Sequence, residues 1–374
     1  MSQTYDVIIV GAGIVGAACA MECARAGLRT LALDRGSLGG GATAAAMGHV
    51  VLMDDSEAQF SLTNYSRRLW KEWQPRLPPA VEYQGCGTIW IAADADEMKE
   101  VYRKEEYYRK HGARVEVMDA PALAKAEPNL RAGLAGGLLV PDDVVLYPPG
   151  AARVFMEQAV AAGAEFRAGA GVEKLLTDGG VQLAGGERVS AGRSVSATGP
   201  WSPELTPGLP VRKRKGHLIL TERAPGFVRR QLVELGYLKS AHSLEQDSVA
   251  FNVQPRLTGQ VIIGSSRQFN ADGNEIDQAI LDRMLRRALE YMPHLGQLPA
   301  VRSWAGHRAA TPDKLPIIGP SAVSDRIWLA TGHEGLGITT SLGTARLLVD
   351  LLLGRTPEIP ATPFTPGRFS TAKL

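Results

Sequence analysis

The sequence predicts an α/β domain with a parallel sheet, interleaved with an α+β domain built on a mostly antiparallel sheet. Short apolar runs alternate with helical segments at both ends of the chain and within 148–200, which is typical of a parallel sheet covered by helices. In the stretches 80–145 and 205–300, β-branched residues alternate with polar ones, which favours antiparallel strands. Charged amphipathic patterns predict one helix over 94–111 and another over 275–291.

We therefore expect two interlocked domains, because no linker-like segment separates the two patterns. The parallel-sheet domain is assigned 1–80, 145–205 and 300–374. The antiparallel domain is assigned 81–144 and 206–299.

The composition excludes some classes of partner. The 374 residues include 41 basic and 39 acidic side chains, a balance that gives no reason to expect nucleic acid or a membrane surface. The one basic run, 212–215, is interpreted as a solvated strand edge. Residues 1–6 are polar and the first strand follows at once, while the apolar run 347–353 is too short to span a bilayer. These features predict a cytoplasmic protein without a transmembrane segment.

The three cysteines, Cys19, Cys23 and Cys86, are too few for a disulfide framework. Cys19 and Cys23 lie four residues apart on one face of the predicted first helix. No matching pair of cysteines or histidines accompanies them, so buried packing is favoured over metal binding and no metal site is expected.

The most specific local motif is Gly-Ala-Gly-Ile-Val-Gly at 11–16, between a strand and a helix, followed 18 residues after Gly16 by Asp34. Gly11 permits a tight turn, Gly13 lets a pyrophosphate approach backbone N–H groups, and Gly16 lets the helix pack on the strand. Asp34 would accept hydrogen bonds from ribose hydroxyls. The motif predicts a Rossmann-like dinucleotide site but does not distinguish FAD from NAD.

Three further stretches carry candidate chemistry. The small-residue stretch 39–49 is typical of backbone that approaches a ligand closely. Segment 332–337, with three glycines, joins an apolar strand to the last helix, whose N-terminus would favour negative charge on a flavin. Within 304–319, Arg308 is either part of a surface ion pair or a clamp for a carboxylate.

Together these stretches resemble the FAD-dependent D-amino-acid oxidase superfamily, which includes glycine oxidase and sarcosine oxidase. The resemblance covers essentially the whole chain. Its most specific parts are GAGIVG at 11–16, ATGPWS at 197–202, GHRAATPDKLPIIG at 306–319 and GHEGLGITTS at 332–341. With QPR at 254–256 and GSSR at 264–267, the chain looks closest to a bacterial subgroup of D-hydroxyproline dehydrogenases, opine oxidase β subunits and cyanide-forming glycine dehydrogenase.

The resemblance implies an FAD-binding Rossmann-like domain interleaved with a substrate domain on the antiparallel sheet. It places Arg308, His307 and His49 at the substrate, with His49 and Glu334 as candidate catalytic residues. The implied FAD contacts are Gly11, Ala12, Gly13, Ile14, Val15, Gly16, Asp34, Arg35, Gly41, Ala42, Thr43, Ala46, Met47, Gly48, His49, Val172, Thr198, Gly199, Trp201, Gly306, Arg308, Gly332, His333, Glu334, Gly335, Leu336, Gly337, Ile338 and Thr339. Sarcosine-oxidase-like members attach FAD to a late cysteine. None follows Cys86 here, so non-covalent FAD is expected.

The implied reaction is hydride transfer from Cα of a small amino or imino acid to flavin N5. The favoured substrate is D-hydroxyproline or D-proline, with electrons passing to a partner subunit or a quinone rather than to oxygen. Alternatives in the same class are a glycine or sarcosine oxidase and an opine oxidase β subunit. Two other classes stay open at this point: an NAD-dependent dehydrogenase and a non-catalytic subunit that relays electrons.

Overall fold

The computed structural model describes residues 5–236 and 247–369. Their strands, in chain order, are β1 Tyr5–Val10, β2 Thr30–Asp34, β3 His49–Val50, β4 Thr88–Ala92, β5 Glu116–Asp119, β6 Gly136–Val140, β7 Val144–Val145, β8 Glu165–Ala168, β9 Val172–Leu175, β10 Val181–Leu183, β11 Arg188–Val189, β12 Ala191–Ser196, β13 Arg212–Thr221, β14 Gln231–Glu234, β15 Ser248–Pro255, β16 Val261–Arg267, β17 Ala300–Ala310, β18 Ile317–Pro320 and β19 Ile327–Thr331.

The α-helices of the same residues are α1 Ile14–Arg25, α2 Gly41–Ala44, α3 Glu57–Trp73, α4 Ala95–Lys110, α5 Ala120–Ala126, α6 Pro148–Ala161, α7 Ser202–Leu205, α8 Gln278–Tyr291 and α9 Gly337–Leu352. Residues 1–4, 237–246 and 370–374 of the predicted domain ranges lie outside the described residues.

A six-stranded sheet has the order β18-β19-β12-β1-β2-β8, and only the pair β18–β19 is antiparallel. β1 is apolar on both faces because both faces are covered. Val7 and Ile9 pack with the helices α1, α3, α6 and α9, whereas Ile8 and Val10 pack with the small sheet β11-β10-β9. This sheet therefore forms the middle layer of three.

An eight-stranded sheet has the order β17-β13-β16-β15-β14-β4-β6-β5 and is antiparallel except for the pair β14–β4. Its strands alternate in burial. Phe251 and Val253 pack against Met284 and Tyr291 of α8 on the outer face. Asn252 lies between them in sequence and lines a cavity on the inner face. The predicted fold class, a Rossmann-like α/β domain with a mostly antiparallel second domain, is confirmed.

Both predicted amphipathic helices are present. The first is α4, and the second, α8, begins at Gln278 rather than at 275 because the Asp277 side chain accepts a hydrogen bond from Ile280 N and caps it. The predicted boundary at 300 is wrong for β17, which pairs with β13 along its length and so extends the eight-stranded sheet to Ala310.

The interpretation of 212–215 as a solvated strand edge is also wrong. These residues begin β13, which lies between β17 and β16 in the interior of the sheet. Arg214 is only 3% exposed and Lys215 only 5%, while Arg212 reaches solvent. The stretch 39–49 differs in a smaller way, because it contains the single helical turn α2. Cys19 and Cys23 are fully buried in α1, as predicted.

Candidate active site

An elongated cavity of about 520 Å³ lies between the six-stranded sheet and the inner face of the eight-stranded sheet. Its volume is in the range of ordinary ligand sites. It runs from Asp34 and Val172 at one end, past the start of α1, to Arg308 at the other. The site is described below in that order.

The turn from β1 to α1 forms the narrowest part of the cavity wall. Gly11 has a positive φ of 105°, and a Cβ there would come within 2.9 Å of the Ala197 carbonyl carbon, so only glycine fits. A Cβ on Gly16 would lie 2.9 Å from the carbonyl carbon of Gly11, which is the close helix–strand packing predicted for that position. Gly13 is the N-cap of α1 and provides no side-chain cap, so the helix N-terminus faces the cavity.

Asp34 closes this end of the cavity. Its Oδ2 accepts a hydrogen bond from Ala12 N at 2.6 Å, and its Oδ1 accepts one from Gly36 N at 2.7 Å. Each carboxylate oxygen retains a lone pair for a further donor, such as a ribose hydroxyl. Arg35 stacks on the Trp201 ring at 4.8 Å and pairs with Glu204 at 3.3 Å.

The segment 45–49 is held in place by side chains from two strands of the eight-stranded sheet and from α9. Trp304 donates a hydrogen bond to Ala45 O at 3.1 Å, and Gln254 donates one to Met47 O at 2.8 Å. Thr339 donates one to His49 O at 3.1 Å. This fixes the backbone beside the cavity through contacts that are distant in sequence.

The inner face of the eight-stranded sheet forms the floor at the other end. Arg308 on β17 extends across Gly216 on the neighbouring β13, and its Nη1 donates a hydrogen bond to Ser266 O on β16 at 2.9 Å. A Cβ on Gly216 would lie 2.9 Å from both Cζ and Nη2 of Arg308. The absence of a side chain at 216 therefore makes room for the guanidinium.

Arg214 lies directly across from Arg308 in the β13–β17 pair and forms a buried ion pair with Glu334. Glu334 has a φ of 54°, in the left-handed region, and its backbone N–H donates to Ala309 O at 2.9 Å. This bridge connects the loop before α9 to β17. One arginine of the floor is thus paired with a carboxylate of the protein, beside the arginine that the family resemblance places at the substrate.

The histidines of the site differ in environment. Burial and, to a smaller extent, the charge of Arg308 lower the pKa of His49 to about 4. A hydrogen bond with Gln254 acts in the opposite direction and raises this pKa. Burial lowers the pKa of His333 to about 3, and its Nε2 lies 3.0 Å from Thr344 Oγ1. Both imidazoles are neutral at pH 7. His307 borders the cavity, but its Nε2 lies 2.8 Å from Ala271 O, so its ring is engaged there.

Most of the sequence-predicted residues are brought together on this one cavity. Four lie behind its wall: Ala12, Gly16, Gly332 and Thr339. Ala12 supports Asp34, Gly16 packs against Gly11, Gly332 makes a positive-φ turn, and Thr339 holds His49. The remaining twenty-six line the cavity: Gly11, Gly13, Ile14, Val15, Asp34, Arg35, Gly41, Ala42, Thr43, Ala46, Met47, Gly48, His49, Val172, Thr198, Gly199, Trp201, Gly306, His307, Arg308, His333, Glu334, Gly335, Leu336, Gly337 and Ile338.

Sequence reasoning missed the polar residues of the floor, Trp90, Arg214, Asn252, Ser265 and Arg267. One local signal was available for Arg214. The basic run 212–215 continues directly into apolar residues of the same strand, which is unusual for a strand at the edge of a sheet. The others carry no motif and come together only through strand pairing.

A dinucleotide with a redox-active ring fits this site. The glycine turn brings the start of α1 close to the neighbouring backbone, the N-terminus of α1 borders the cavity, and Asp34 offers acceptors for a ribose. The start of α9 lies beside Val15 of α1. The fold and the site define a dinucleotide-dependent oxidoreductase.

Comparison with known proteins gives the family. The profile described as FAD dependent oxidoreductase matches residues 6–351, and the chain belongs to that family. It is 29% identical to a glycine oxidase of Pseudomonas aeruginosa over 96% of this chain and 98% of the relative. It is 25% identical to the hydrogen cyanide synthase subunit HcnC of the same species, over 99% and 97%. The crystal structure of glycine oxidase from Geobacillus kaustophilus superposes with a TM-score of 0.88 at 25% identity, covering 98% and 99%.

The protein is therefore an FAD-dependent amino acid oxidoreductase. FAD, rather than NAD, is the dinucleotide. Within 5–236 and 247–369, none of the helices combines the length and apolar character needed to cross a membrane.

Proposed function

We propose that the protein oxidises a small amino or imino acid at Cα, with D-hydroxyproline or D-proline as the favoured substrate, and that Arg308 holds the substrate carboxylate. The observation that carries the proposal is the position of Arg308 on the cavity floor, above Gly216 and held by Ser266 O. A guanidinium is a planar fork of five N–H donors, which suits a bidentate grip on a carboxylate.

The residues around Arg308 also act on the amine of the substrate. Arg214 is paired with Glu334, and Arg308 would be paired with the substrate carboxylate. The substrate amine must be neutral when Cα loses its hydride, because its lone pair has to be available. His49, neutral and on the cavity wall, can accept a hydrogen bond from the substrate amine at a ring nitrogen and so help to orient it.

FAD, when bound, supplies the hydride acceptor N5. Thr43, whose Oγ1 accepts a hydrogen bond from Ile14 N at 3.0 Å, would hold the small-residue segment against the start of α1. The six-stranded sheet and its connections would hold the cofactor, and the eight-stranded sheet the substrate. We also propose that FAD is held without a covalent bond, because Cys19 and Cys23 are buried in α1 and Cys86 is not part of the cavity wall.

A second candidate within this class is glycine oxidation, which is favoured by the 29% identity to a glycine oxidase over nearly the whole chain. An opine oxidase β subunit is a further alternative from the sequence. The likeness to a hydrogen cyanide synthase subunit supports a partner subunit as electron acceptor, and a quinone is the alternative from the sequence. A non-catalytic electron-relay subunit has no need of a carboxylate clamp beside its flavin.

A substrate and acceptor screen tests the proposal. Purified holoenzyme is assayed with cis-4-hydroxy-D-proline, D-proline, their L-enantiomers, glycine, sarcosine and opines, once with oxygen and once with an artificial dye. We expect the D-imino acids to give the highest kcat/KM, and the dye to support faster turnover than oxygen. Higher kcat/KM for glycine would replace the favoured substrate by the second candidate. No turnover with any amino or imino acid would contradict the proposed function itself.

A further inference from the structure

Strand β16 contains a β-bulge at Ser266. Ile219 on β13 pairs with residue 263 of β16, and pairing resumes where Lys215 bridges residue 268. Three residues of β13 lie between these two pairs, but four residues of β16, 264–267, so β16 carries one extra residue. An extra residue interrupts the regular ladder and re-aims the groups beside it. The bulge therefore lies at the residue whose carbonyl oxygen accepts the hydrogen bond from Arg308 Nη1.

The hydroxyl of Ser266 bridges the interrupted part of the ladder. Its Oγ accepts a hydrogen bond from His217 N at 2.8 Å and lies 2.9 Å from His217 Nδ1. On the far side of the ring, Asp277 N donates to His217 Nε2 at 3.1 Å, so Nε2 is the nitrogen without a proton. In the neutral ring Nδ1 then carries the proton and donates to Ser266 Oγ. His217 therefore holds Ser266 twice, once through its backbone and once through its ring.

The ring of His217 is itself anchored to the start of α8. Asp277 caps this helix, because its Oδ1 accepts a hydrogen bond from Ile280 N at 3.2 Å. Its Oδ2 accepts another from Gln268 Nε2 at 2.7 Å. Burial and the charge of Lys215 lower the pKa of His217, so the ring is neutral at pH 7 and Nε2 stays an acceptor for Asp277 N. A helix terminus thus sets the position of the ring.

His217 and Ser266 lie on the face of the sheet opposite the cavity. Leu218, the next residue on β13, lines the cavity, whereas Ile219 belongs to the apolar cluster that contains the side chains of α8. Side chains alternate along a strand, so His217 points to the outer face together with Ile219. His217 is 0% exposed and Ser266 is 1% exposed. Neither side chain can contact a substrate, so this serine–histidine pair is not a hydrolytic site and can act on the reaction only through Arg308.

We propose that His217 is a positioning residue for the reaction: held by the backbone of Asp277, its ring fixes Ser266 within the bulge and so sets the position of the carbonyl oxygen that binds Arg308. This inference rests on the proposed function, in which Arg308 holds the substrate carboxylate. A carbonyl oxygen moves with its strand, so a bulge that is not fixed would let the guanidinium settle in more than one position. A misplacement of about 1 Å can lower the rate of an enzyme by roughly 100-fold.

Three substitutions separate this role from an ordinary contribution to stability. His217→Phe keeps a buried planar ring and removes both of its hydrogen bonds. His217→Asn keeps the contact with Ser266, because the amide nitrogen of asparagine is a donor at the same distance from Cβ as Nδ1. Ser266→Ala removes the acceptor that the ring and the backbone share. Ile219→Val is the matched control, since Ile219 is also buried and lies two residues further along the same face of β13.

The first readout is the dissociation constant of tetrahydrofuran-2-carboxylate for the oxidised holoenzyme, measured by calorimetry. This compound has the ring and the carboxylate of proline, with an oxygen in place of the amine, so it binds without being oxidised. The second readout is the rate of anaerobic flavin reduction by amino and imino acids. Thermal unfolding of the holoenzyme measures stability separately.

We expect His217→Phe and Ser266→Ala each to raise the dissociation constant by about 10-fold, and His217→Asn and Ile219→Val to stay within ~3-fold of the wild type. Adding His217→Phe to Ser266→Ala should change the constant by less than ~2-fold further, because both side chains act through one contact. Ser266→Ala decides the question if His217→Phe does not fold.

Two results would overturn the positioning role and leave the proposed function intact. One is a dissociation constant in His217→Phe and Ser266→Ala equal to that in Ile219→Val. The other is an equal loss of affinity in His217→Asn and His217→Phe. If the wild type instead fails to bind the carboxylate and no amino or imino acid reduces its flavin, the proposed function itself is contradicted.

Discussion

The sharpest prediction concerns Gly216, the residue beneath the guanidinium of Arg308. In Gly216→Ala, the added Cβ would lie 2.9 Å from both Cζ and Nη2 of Arg308. Carbon and nitrogen atoms without a hydrogen bond prefer about 3.5 Å, so the guanidinium must move by roughly 0.5–1 Å. That shift breaks or bends its 2.9 Å hydrogen bond to Ser266 O and displaces the clamp.

The consequences for activity and for stability should differ. Misplacing a positioning group by this distance lowers kcat/KM by about 10- to 100-fold, which corresponds to about 1.4–2.8 kcal/mol. The free energy of unfolding should stay the same or rise by about 0.5 kcal/mol, because the neighbour that yields is the end of a flexible side chain and alanine is preferred to glycine inside a strand.

Anaerobic stopped-flow reduction of the flavin measures the first quantity, and thermal unfolding of the holoenzyme measures the second. Gly85→Ala is the matched control, because a Cβ there meets no atom within 4 Å. The control should retain the wild-type kcat/KM. If Gly216→Ala stays within ~3-fold of wild type, the clamp is not where we place it, and Arg308 does not hold the substrate carboxylate.

Three other perturbations follow from the site. Asp34→Ala removes two acceptors and leaves Ala12 N and Gly36 N without their partner. The dissociation constant of FAD, measured by flavin fluorescence, should therefore rise by at least ~10-fold. An unchanged affinity for FAD would contradict the contact between Asp34 and the ribose. Glu334→Gln leaves a buried arginine without its counter-charge and should lower the free energy of unfolding by about 3 kcal/mol in urea titrations, and an unchanged midpoint would refute the buried pair. His333 has a folded pKa of about 3, below its unfolded value, so its contribution to stability is complete above about pH 6.5 and is lost as pH falls. When the pH is lowered from 7 to 5, the free energy of unfolding should therefore fall by about 2 kcal/mol less in His333→Asn than in the wild type. Parallel curves of unfolding free energy against pH would show that this histidine is not buried in its neutral form.

The parts of the fold that the sequence predicts well are local in the chain. The strand, glycine turn, helix and Asp34 occupy about 30 consecutive residues, and each step has a steric or electrostatic reason that single residues reveal. Arg308 needed more than its own neighbours. Its sequence context left a surface ion pair and a clamp equally open, and only the resemblance favoured the clamp.

The floor of the cavity could not be predicted, because strand order brings it together. Arg214 meets Arg308 through the pairing of β13 with β17, and the ion pair with Glu334 joins residues 120 positions apart. Neither strand shows this pairing in its own sequence. The basic run 212–215 was therefore interpreted as a strand edge, and β17 was assigned to the other domain. Asn252 and Trp90 are brought into one row by two further pairings that have no local signal.

The central claim is that Arg308 positions a small amino or imino acid for oxidation by bound FAD. The most direct test is anaerobic mixing of the oxidised holoenzyme with cis-4-hydroxy-D-proline, D-proline and glycine, for wild type and Arg308→Met, while the flavin absorbance is followed. We predict rapid bleaching of the wild-type flavin by at least one of these compounds, and a rate at fixed substrate concentration that is lower by at least ~100-fold in Arg308→Met, which retains FAD. Bleaching at equal rates in both proteins would contradict the claim.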